Sequence, residues 1–267
     1  MSTPPGAVLL GTVALEPNRW ATVDTSGAPM MAMTDWSSAI GSAGFDGLEL
    51  WERHATDAAD GAAALLDGPV PIVVLSSYVS LDDPDPAPRA AVADWAVRLG
   101  AGAVKVNVGR DPSASEAYSA RLAELADALP AEVVVLCECH AGTIAEDPIV
   151  AAAILGAAGS PQRVQAIVHT HESIDHLRTR FAAYGDRITH VHVNHLDPAT
   201  LAAPPLVDVR ADLAAKVAAL GDLGFRGSWT IEFVHGVLGP DDRPEVTLPQ
   251  AVADLAVLRD VLGEAQP

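Results

Sequence analysis

The chain alternates short apolar runs with longer alanine-rich stretches, and the alternation repeats eight times. The apolar runs have strand length and many β-branched residues, whereas the stretches between them have the length and composition of helices. The predicted strands cover residues 7–15, 46–51, 70–77, 103–108, 132–139, 164–170, 188–194 and 228–233. The predicted helices cover residues 34–43, 56–66, 87–100, 113–128, 147–157, 173–184, 209–223 and 247–262.

Eight strand–helix units in 267 residues match the size and repeat number of a TIM barrel. A doubly wound open sheet usually has fewer strands and a G-x-G-x-x-G fingerprint after its first strand, and this chain lacks that fingerprint. The Pro- and Asp-rich stretch at 82–88 is too short to separate two domains. We therefore predict an α/β protein with a single (β/α)8 barrel domain over residues 1–267.

Polar side chains that suit metal binding collect at the ends of the last four predicted strands. Eight of the nine histidines lie between residues 140 and 235, and seven of these eight lie in the runs VVVLCECH, QAIVHTH, ITHVHVNH and SWTIEFVH. The carboxyl ends of parallel strands meet at one face of a barrel, where binding sites form. Histidine and carboxylate groups that converge from four strands predict a divalent metal ion, with a metal-free polar network as the alternative.

The period of two along a strand sorts these residues by face. Glu138 lies between two cysteines and Glu232 between Ile231 and Phe233, so each carboxylate is expected to point into the barrel mouth and not at the packed helices. By the same parity, side chains on one face of their strands form the pairs His169 with His171, His190 with His192 and Glu138 with His140. Two carboxylates with one or two imidazoles suit one Mn²⁺, Co²⁺, Mg²⁺ or Zn²⁺ ion.

The other half of the predicted barrel offers further candidates. Glu49 ends strand two, His54 lies in the following loop, and Lys105 lies on one face of strand four. Lys105 either steadies a carboxylate or enediolate oxygen, or forms an ion pair with Glu49; the sequence leaves both open. Trp20 lies in the long first loop, 16–33, where it either stacks on a sugar or simply packs.

Composition argues against two classes of partner. The formal net charge of −19 disfavours nucleic acid, and no polybasic segment would bind an anionic membrane. No run reaches the ~18 apolar residues that a membrane span needs. Cys137 and Cys139, two apart in one strand, are too far apart for an easy disulfide, which favours a reducing cytoplasm.

Four segments, GFDGLELWERH, CECHAGTIAED, RITHVHVNH and GFRGSWTIEF, resemble the sugar phosphate isomerase/epimerase superfamily, the xylose-isomerase-like TIM barrels, in order and spacing. The resemblance implies one divalent metal ion held by Glu138, His169 or His171, His192 and Glu232. It also implies that the two glutamates transfer protons on opposite faces of the substrate. We expect the remaining candidates to face the substrate: Glu49, His54, His140, His171 and Trp20.

Strand six departs from the family pattern, in which an Asp is commonly followed about three residues later by a His. Here the segment reads Val168, His169, Thr170 and His171. Either His169 replaces the Asp, or His171 keeps the His place and Val168 has lost a ligand. An endonuclease IV type of site needs more histidines at strands three and four, which end here in LSSY and VNVG, so DNA repair is not expected.

The resemblance predicts a metal-dependent isomerase or epimerase that acts on a sugar or polyol by α-proton transfer through an enediolate, with Glu138, Glu232 and Lys105 as catalytic residues. One alternative is a dehydratase or lyase that eliminates a β-substituent from a keto-inositol or keto-glycoside. Another is a non-catalytic barrel that serves as a binding or partner subunit. Arg19 and Arg110 are expected at the surface, so a neutral carbohydrate is expected over a phosphate. Barrels of this kind often pair through their helices, which makes a homodimer one possible oligomeric state. The sequence does not determine that state.

Overall fold

Eight parallel strands close into a barrel in a computed structural model of the chain. The structure describes residues 6–21, 23–57, 68–197, 199–236 and 242–265. Each strand pairs with the next, and the eighth pairs with the first. The strands are β1 (Val8–Gly11), β2 (Gly47–Trp51), β3 (Ile72–Ser76), β4 (Ala103–Asn107), β5 (Val134–Glu138), β6 (Val164–His169), β7 (Ile188–Val193) and β8 (Ser228–Ile231).

Helices surround the barrel, and the prediction of a single (β/α)8 barrel is confirmed. Within the described ranges they are α1 (Met33–Ser42), α2 (Arg53–Thr56), α3 (Ala87–Leu99), α4 (Ser115–Ala128), α5 (Pro148–Ala158), α6 (Ile174–Tyr184), α7 (Arg210–Asp222) and α8 (Pro244–Glu264). Most of the helix predicted at 56–66 lies outside the described residues. Of the helices in the described part, none is long and apolar enough to cross a membrane.

The first strand is shorter than predicted. β1 ends at Gly11, and Thr12–Leu15 form a buried 3₁₀ turn where the sequence predicted strand to residue 15. The Thr12 hydroxyl accepts a hydrogen bond from the Trp51 backbone N–H at 2.9 Å, which holds the turn against β2. Apolar patterning cannot distinguish such a buried turn from a strand, because both require apolar side chains.

The barrel interior is apolar at its amino-terminal end and polar at its carboxyl end. A small cluster fills the interior with Ala7, Leu9, Val74, Ala103, Leu136 and Ile167. A much larger core lies between strands and helices, and it includes Cys137 and Cys139, which are buried and free, as predicted. Glu138 between them therefore points inward, toward the mouth of the barrel.

Candidate metal centre

Four side chains from four consecutive strands meet at the mouth of the barrel. Glu138 ends β5, His169 ends β6, His192 lies in β7 and Glu232 follows β8. One possible ligand atom from each lies within 4.8 Å of the others, and all four residues are buried. We call these four residues the metal centre. The structure thus brings together the predicted ligand set, with His169 and not His171 in the strand-six place.

Distances inside the metal centre fit a shared ion. His192 Nδ1 lies 3.2 Å from Glu138 Oε1 and 3.3 Å from Glu232 Oε2, and His169 Nε2 lies 2.9 Å from Glu138 Oε1. Ligand atoms about 2.1 Å from one ion are separated by about 3.0 to 3.4 Å at octahedral or tetrahedral angles. His192 Nδ1 is also buried and finds no hydrogen-bond partner among the described residues. This nitrogen is therefore placed to act as a ligand once it has lost its proton.

Glu49 orients the His192 ring from behind. Its Oε2 lies 3.1 Å from His192 Nε2 and 3.4 Å from His190 Nε2. Burial alone would raise the pKa of Glu49, but His192 and His190 hold it well below its usual range. A ligating histidine commonly donates its second N–H to such a carboxylate. The sequence predicts that Glu49 contacts substrate, whereas in the structure this residue is only 2% exposed and its carboxylate lies against His192.

Lys105 forms its ion pair with Glu138. The Nζ atom lies 2.6 Å from Glu138 Oε2, so of the two roles left open by the sequence the contact with a carboxylate is present, and its partner is not Glu49. Burial alone would lower the pKa of Lys105, but the charge of Glu138 raises it well above its usual value. Burial alone would raise the pKa of Glu138, and Lys105 holds it well below its usual range.

Tyr78, which sequence reasoning missed, covers the same ammonium group. Its ring centroid lies 4.2 Å from Lys105 Nζ, a cation–π contact. Burial raises the pKa of the Tyr78 hydroxyl, which therefore stays protonated. Tyr78 follows β3 by two residues, and a position facing the mouth directly after a strand was the one available signal.

Asn194 connects the metal centre to His171. Its Nδ2 donates to Glu232 Oε2 at 3.1 Å, and its Oδ1 accepts from His171 Nδ1 at 2.7 Å. The His171 ring centroid lies 4.9 Å from that of His169. Burial lowers the pKa of His171, which favours its neutral form. His171 therefore lies beside the metal centre, where it supports Glu232 through Asn194.

The three other predicted substrate-facing residues, His140, His54 and Trp20, lie outside the metal centre. His140 is half-buried, with its ring centroid 6.1 Å from that of His169, and lines a cavity at the mouth. His54 is 1% exposed, and both its ring nitrogens have partners at 2.9 and 3.0 Å, Thr12 Oγ1 and Glu16 Oε2. His54 thus anchors the first loop and has no ring nitrogen left for substrate. Trp20 is 39% exposed, and its ring meets Tyr78 edge-on at 5.2 Å.

Known proteins share this fold at low sequence identity. A xylose isomerase domain protein from Alicyclobacillus acidocaldarius superposes with a TM-score of 0.67 at 17% identity, covering 98% of this chain and 100% of that chain. The IOLI protein with a bound zinc atom gives 0.66 at 13%, covering 97% and 99%. A sugar phosphate isomerase/epimerase from Parabacteroides distasonis gives 0.62 at 13%, covering 100% and 96%. No curated protein matches the chain.

The amino-acid sequence itself matches a family model, described as xylose isomerase-like TIM barrel, over residues 38–260. The match begins before β2 and extends into α8, so it includes every residue of the metal centre. The chain belongs to the xylose isomerase-like TIM barrel family.

Proposed function

We propose that the protein is a divalent-metal-dependent isomerase or epimerase that acts on a small carbohydrate by α-proton transfer through an enediolate. The observation that carries the proposal is the setting of His192, whose Nε2 faces Glu49 while its unpartnered Nδ1 faces Glu138 and Glu232. The zinc atom of the similar IOLI protein and the name of the Parabacteroides distasonis protein agree with it. The net charge of −19 favours a small molecule over a nucleic acid.

The metal centre would hold one Mn²⁺, Co²⁺, Mg²⁺ or Zn²⁺ ion through Glu138, His169, His192 and Glu232. When bound, such an ion polarises a carbonyl and stabilises negative charge on its oxygen. The nitrogen and oxygen donors, without thiolate, suit a catalytic site better than a structural zinc site. Burial lowers the pKa of His169 to about 3, so this imidazole is neutral and available as a ligand at pH 7.

The two carboxylates have different hydrogen-bond and ion-pair partners, which favours different roles in proton transfer. Glu232 accepts a hydrogen bond from the neutral Asn194 amide, whereas Glu138 forms an ion pair with Lys105. We assign removal of the α-proton to Glu232, with the C–H electron pair passing to the enediolate. Lys105, which is protonated and lies 2.6 Å from Glu138 Oε2, would supply through Glu138 the proton that returns to the other face of the enediolate, and Glu232 would then release its own proton to solvent. Lys105 also offsets the negative charge that develops.

Solvent exchange tests the proposed chemistry. Protein stripped with EDTA and reloaded with Mn²⁺ is incubated in D₂O with a panel of ketoses and aldoses, and deuterium at the α-carbon is followed by NMR. We expect metal-dependent exchange that Glu232→Gln abolishes. His192→Asn should also abolish Mn²⁺ binding, whereas His195→Asn, a loop histidine paired with Asp212, is the matched control and should bind normally.

Three outcomes would contradict this proposal. An unsaturated product that has lost its β-substituent would identify a dehydratase or lyase, which shares the first proton transfer. A protein that binds Mn²⁺ tightly but exchanges the α-proton of no substrate, whichever divalent ion is loaded, would be identified as a binding subunit. Normal Mn²⁺ affinity in His192→Asn would show that the ion is held elsewhere.

A further inference from the structure

A cavity of about 510 Å³ opens beside the metal centre, between the loops that follow β4 and β5. Its volume is typical of small-molecule sites. It borders the metal centre through two of its lining residues. His140 stacks edge-on toward His169, and the Asn107 amide, oriented by its hydrogen bonds, donates to Glu138 Oε2 at 2.8 Å. A larger cavity of about 630 Å³ lies at the opposite end of the barrel and includes no residue of the metal centre.

Arg110 lines the smaller cavity with an uncommitted guanidinium group. It makes no hydrogen bond or ion pair with any other residue that the structure describes, although the chain has 35 acidic and only 16 basic residues. Its backbone is held in place, because the preceding Gly109 packs against the Tyr118 hydroxyl and accepts a hydrogen bond from the Ile144 N–H at 3.0 Å. The exposed Arg110 side chain thus extends from an anchored backbone at the mouth, without a partner among the described residues.

Two carboxylates also line the cavity, and both have partners of their own. Asp82 Oδ1 accepts the Tyr118 hydroxyl at 2.5 Å. Asp111 Oδ1 accepts from the backbone N–H and hydroxyl of Ser113 at 2.9 and 2.7 Å, which caps the turn at Pro112–Ala114. Arg110 and His140 are therefore the groups on this wall that remain available to an anion.

We propose that this cavity binds an anionic group of the substrate, a carboxylate or a phosphate, on Arg110 with His140 beside it. The planar guanidinium fork matches both groups by paired hydrogen bonds. The inference rests on the proposed function, because the rest of the substrate would extend past Asn107 to the metal centre. The substrate class is then an acidic carbohydrate, and not the neutral sugar expected from the sequence.

Calorimetric titration tests the inference with three five-carbon probes, ribitol, D-ribonate and D-ribitol 5-phosphate, on Mn²⁺-loaded protein. One of the two anions should bind at least about 10-fold more tightly than ribitol, and which one does so distinguishes carboxylate from phosphate. Arg110→Gln should weaken that anion about 10- to 100-fold and leave ribitol unchanged. Arg110→Lys should retain part of the affinity. The control Arg98→Gln changes the net charge equally on the exposed side of α3 and should have no effect.

The inference is wrong if ribitol binds as tightly as both anions, if no probe binds, or if Arg110→Gln leaves anion affinity unchanged. A separate Mn²⁺ titration distinguishes this failure from failure of the proposed function. Normal Mn²⁺ binding without anion preference overturns the substrate class alone. Anion binding that requires Arg110 in a protein unable to bind Mn²⁺ overturns the metal proposal and retains the anion site.

Discussion

Replacement of Lys105 by Met removes the cation that lies nearest to Glu138 and lowers its pKa most in the metal-free protein. The ammonium is fully buried, and its Nζ lies 2.6 Å from Glu138 Oε2. At an effective dielectric constant of about 20, that distance corresponds to an attraction of about 6 kcal/mol, from which desolvation of both groups subtracts. Loss of one partner of a buried pair typically costs about 3–5 kcal/mol. We expect Lys105→Met to lower the free energy of unfolding by about that amount at pH 7.

The pH dependence provides a second readout of the same substitution. Because the pKa of Glu138 lies below its unfolded value, this group stabilises the native state above pH ~4.5 and the stabilisation fades as pH falls through the native pKa. Without Lys105, burial raises the pKa of Glu138, so this contribution is lost. The deficit of the variant should therefore be largest near neutral pH and should shrink below pH ~4.5.

Urea unfolding followed by circular dichroism, on EDTA-treated protein at pH 7 and pH 4, measures both effects. Lys216→Met is the matched control, because Lys216 is the only other lysine in the chain and pairs with the half-exposed Asp212 at 2.6 Å. That pair should contribute at most about 1 kcal/mol. Equal losses for the two variants, or a Lys105→Met deficit that does not change with pH, would refute the electrostatic reasoning.

Three further outcomes follow from the structure. Glu49→Gln should weaken Mn²⁺ binding about 10- to 100-fold in calorimetry, since it loosens the orientation of His192; unchanged affinity would contradict that role. Burial alone would lower the pKa of His192, but Glu232 and Glu49 raise it well above 6.5, so metal binding at pH 7 should release about one proton. Calorimetry in buffers of different ionisation enthalpy measures this release, and a binding enthalpy that is the same in every buffer would disprove it. In thermal denaturation, Gly227→Ala should destabilise the fold by about 1–3 kcal/mol, because the added Cβ would lie 1.8 Å from the Thr189 carbonyl oxygen. Gly156→Ala in α5 is the control: the added Cβ meets open space, and the variant should be more stable by about 0.5–1 kcal/mol.

Local patterning predicted the barrel and the convergence of histidines and carboxylates from four strands, whereas the family resemblance supplied the named ligands. The number of apolar runs counts the strands, and the period of two assigns each inward side chain. Because the strands are parallel, carboxyl-terminal residues of neighbouring strands must meet at one end. We propose His169 as the strand-six ligand because the structure groups it, and not His171, with Glu138, His192 and Glu232; the sequence offers both histidines on one face of the strand.

Contacts across the barrel could not be predicted in the same way. Glu49 and His192 are 143 residues apart and meet inside the closed barrel, where β1 and β8 separate β2 from β7. The partner of Lys105 depends on the register of β4 against β5, which places Glu138 closer than Glu49. His54 looked like a loop residue, but the buried Glu16 carboxylate draws it into the protein. Sequence spacing contains none of these long-range geometries.

The most direct test of the metal centre is anomalous scattering from crystals grown with Mn²⁺. We predict one peak at the carboxyl end of the barrel, within about 2.3 Å of donor atoms of Glu138, His169, His192 and Glu232. Glu49 should remain behind His192 without touching the ion. A peak bound by His171 and Glu172, a peak between Glu49 and His190, or no peak at the mouth would contradict the account.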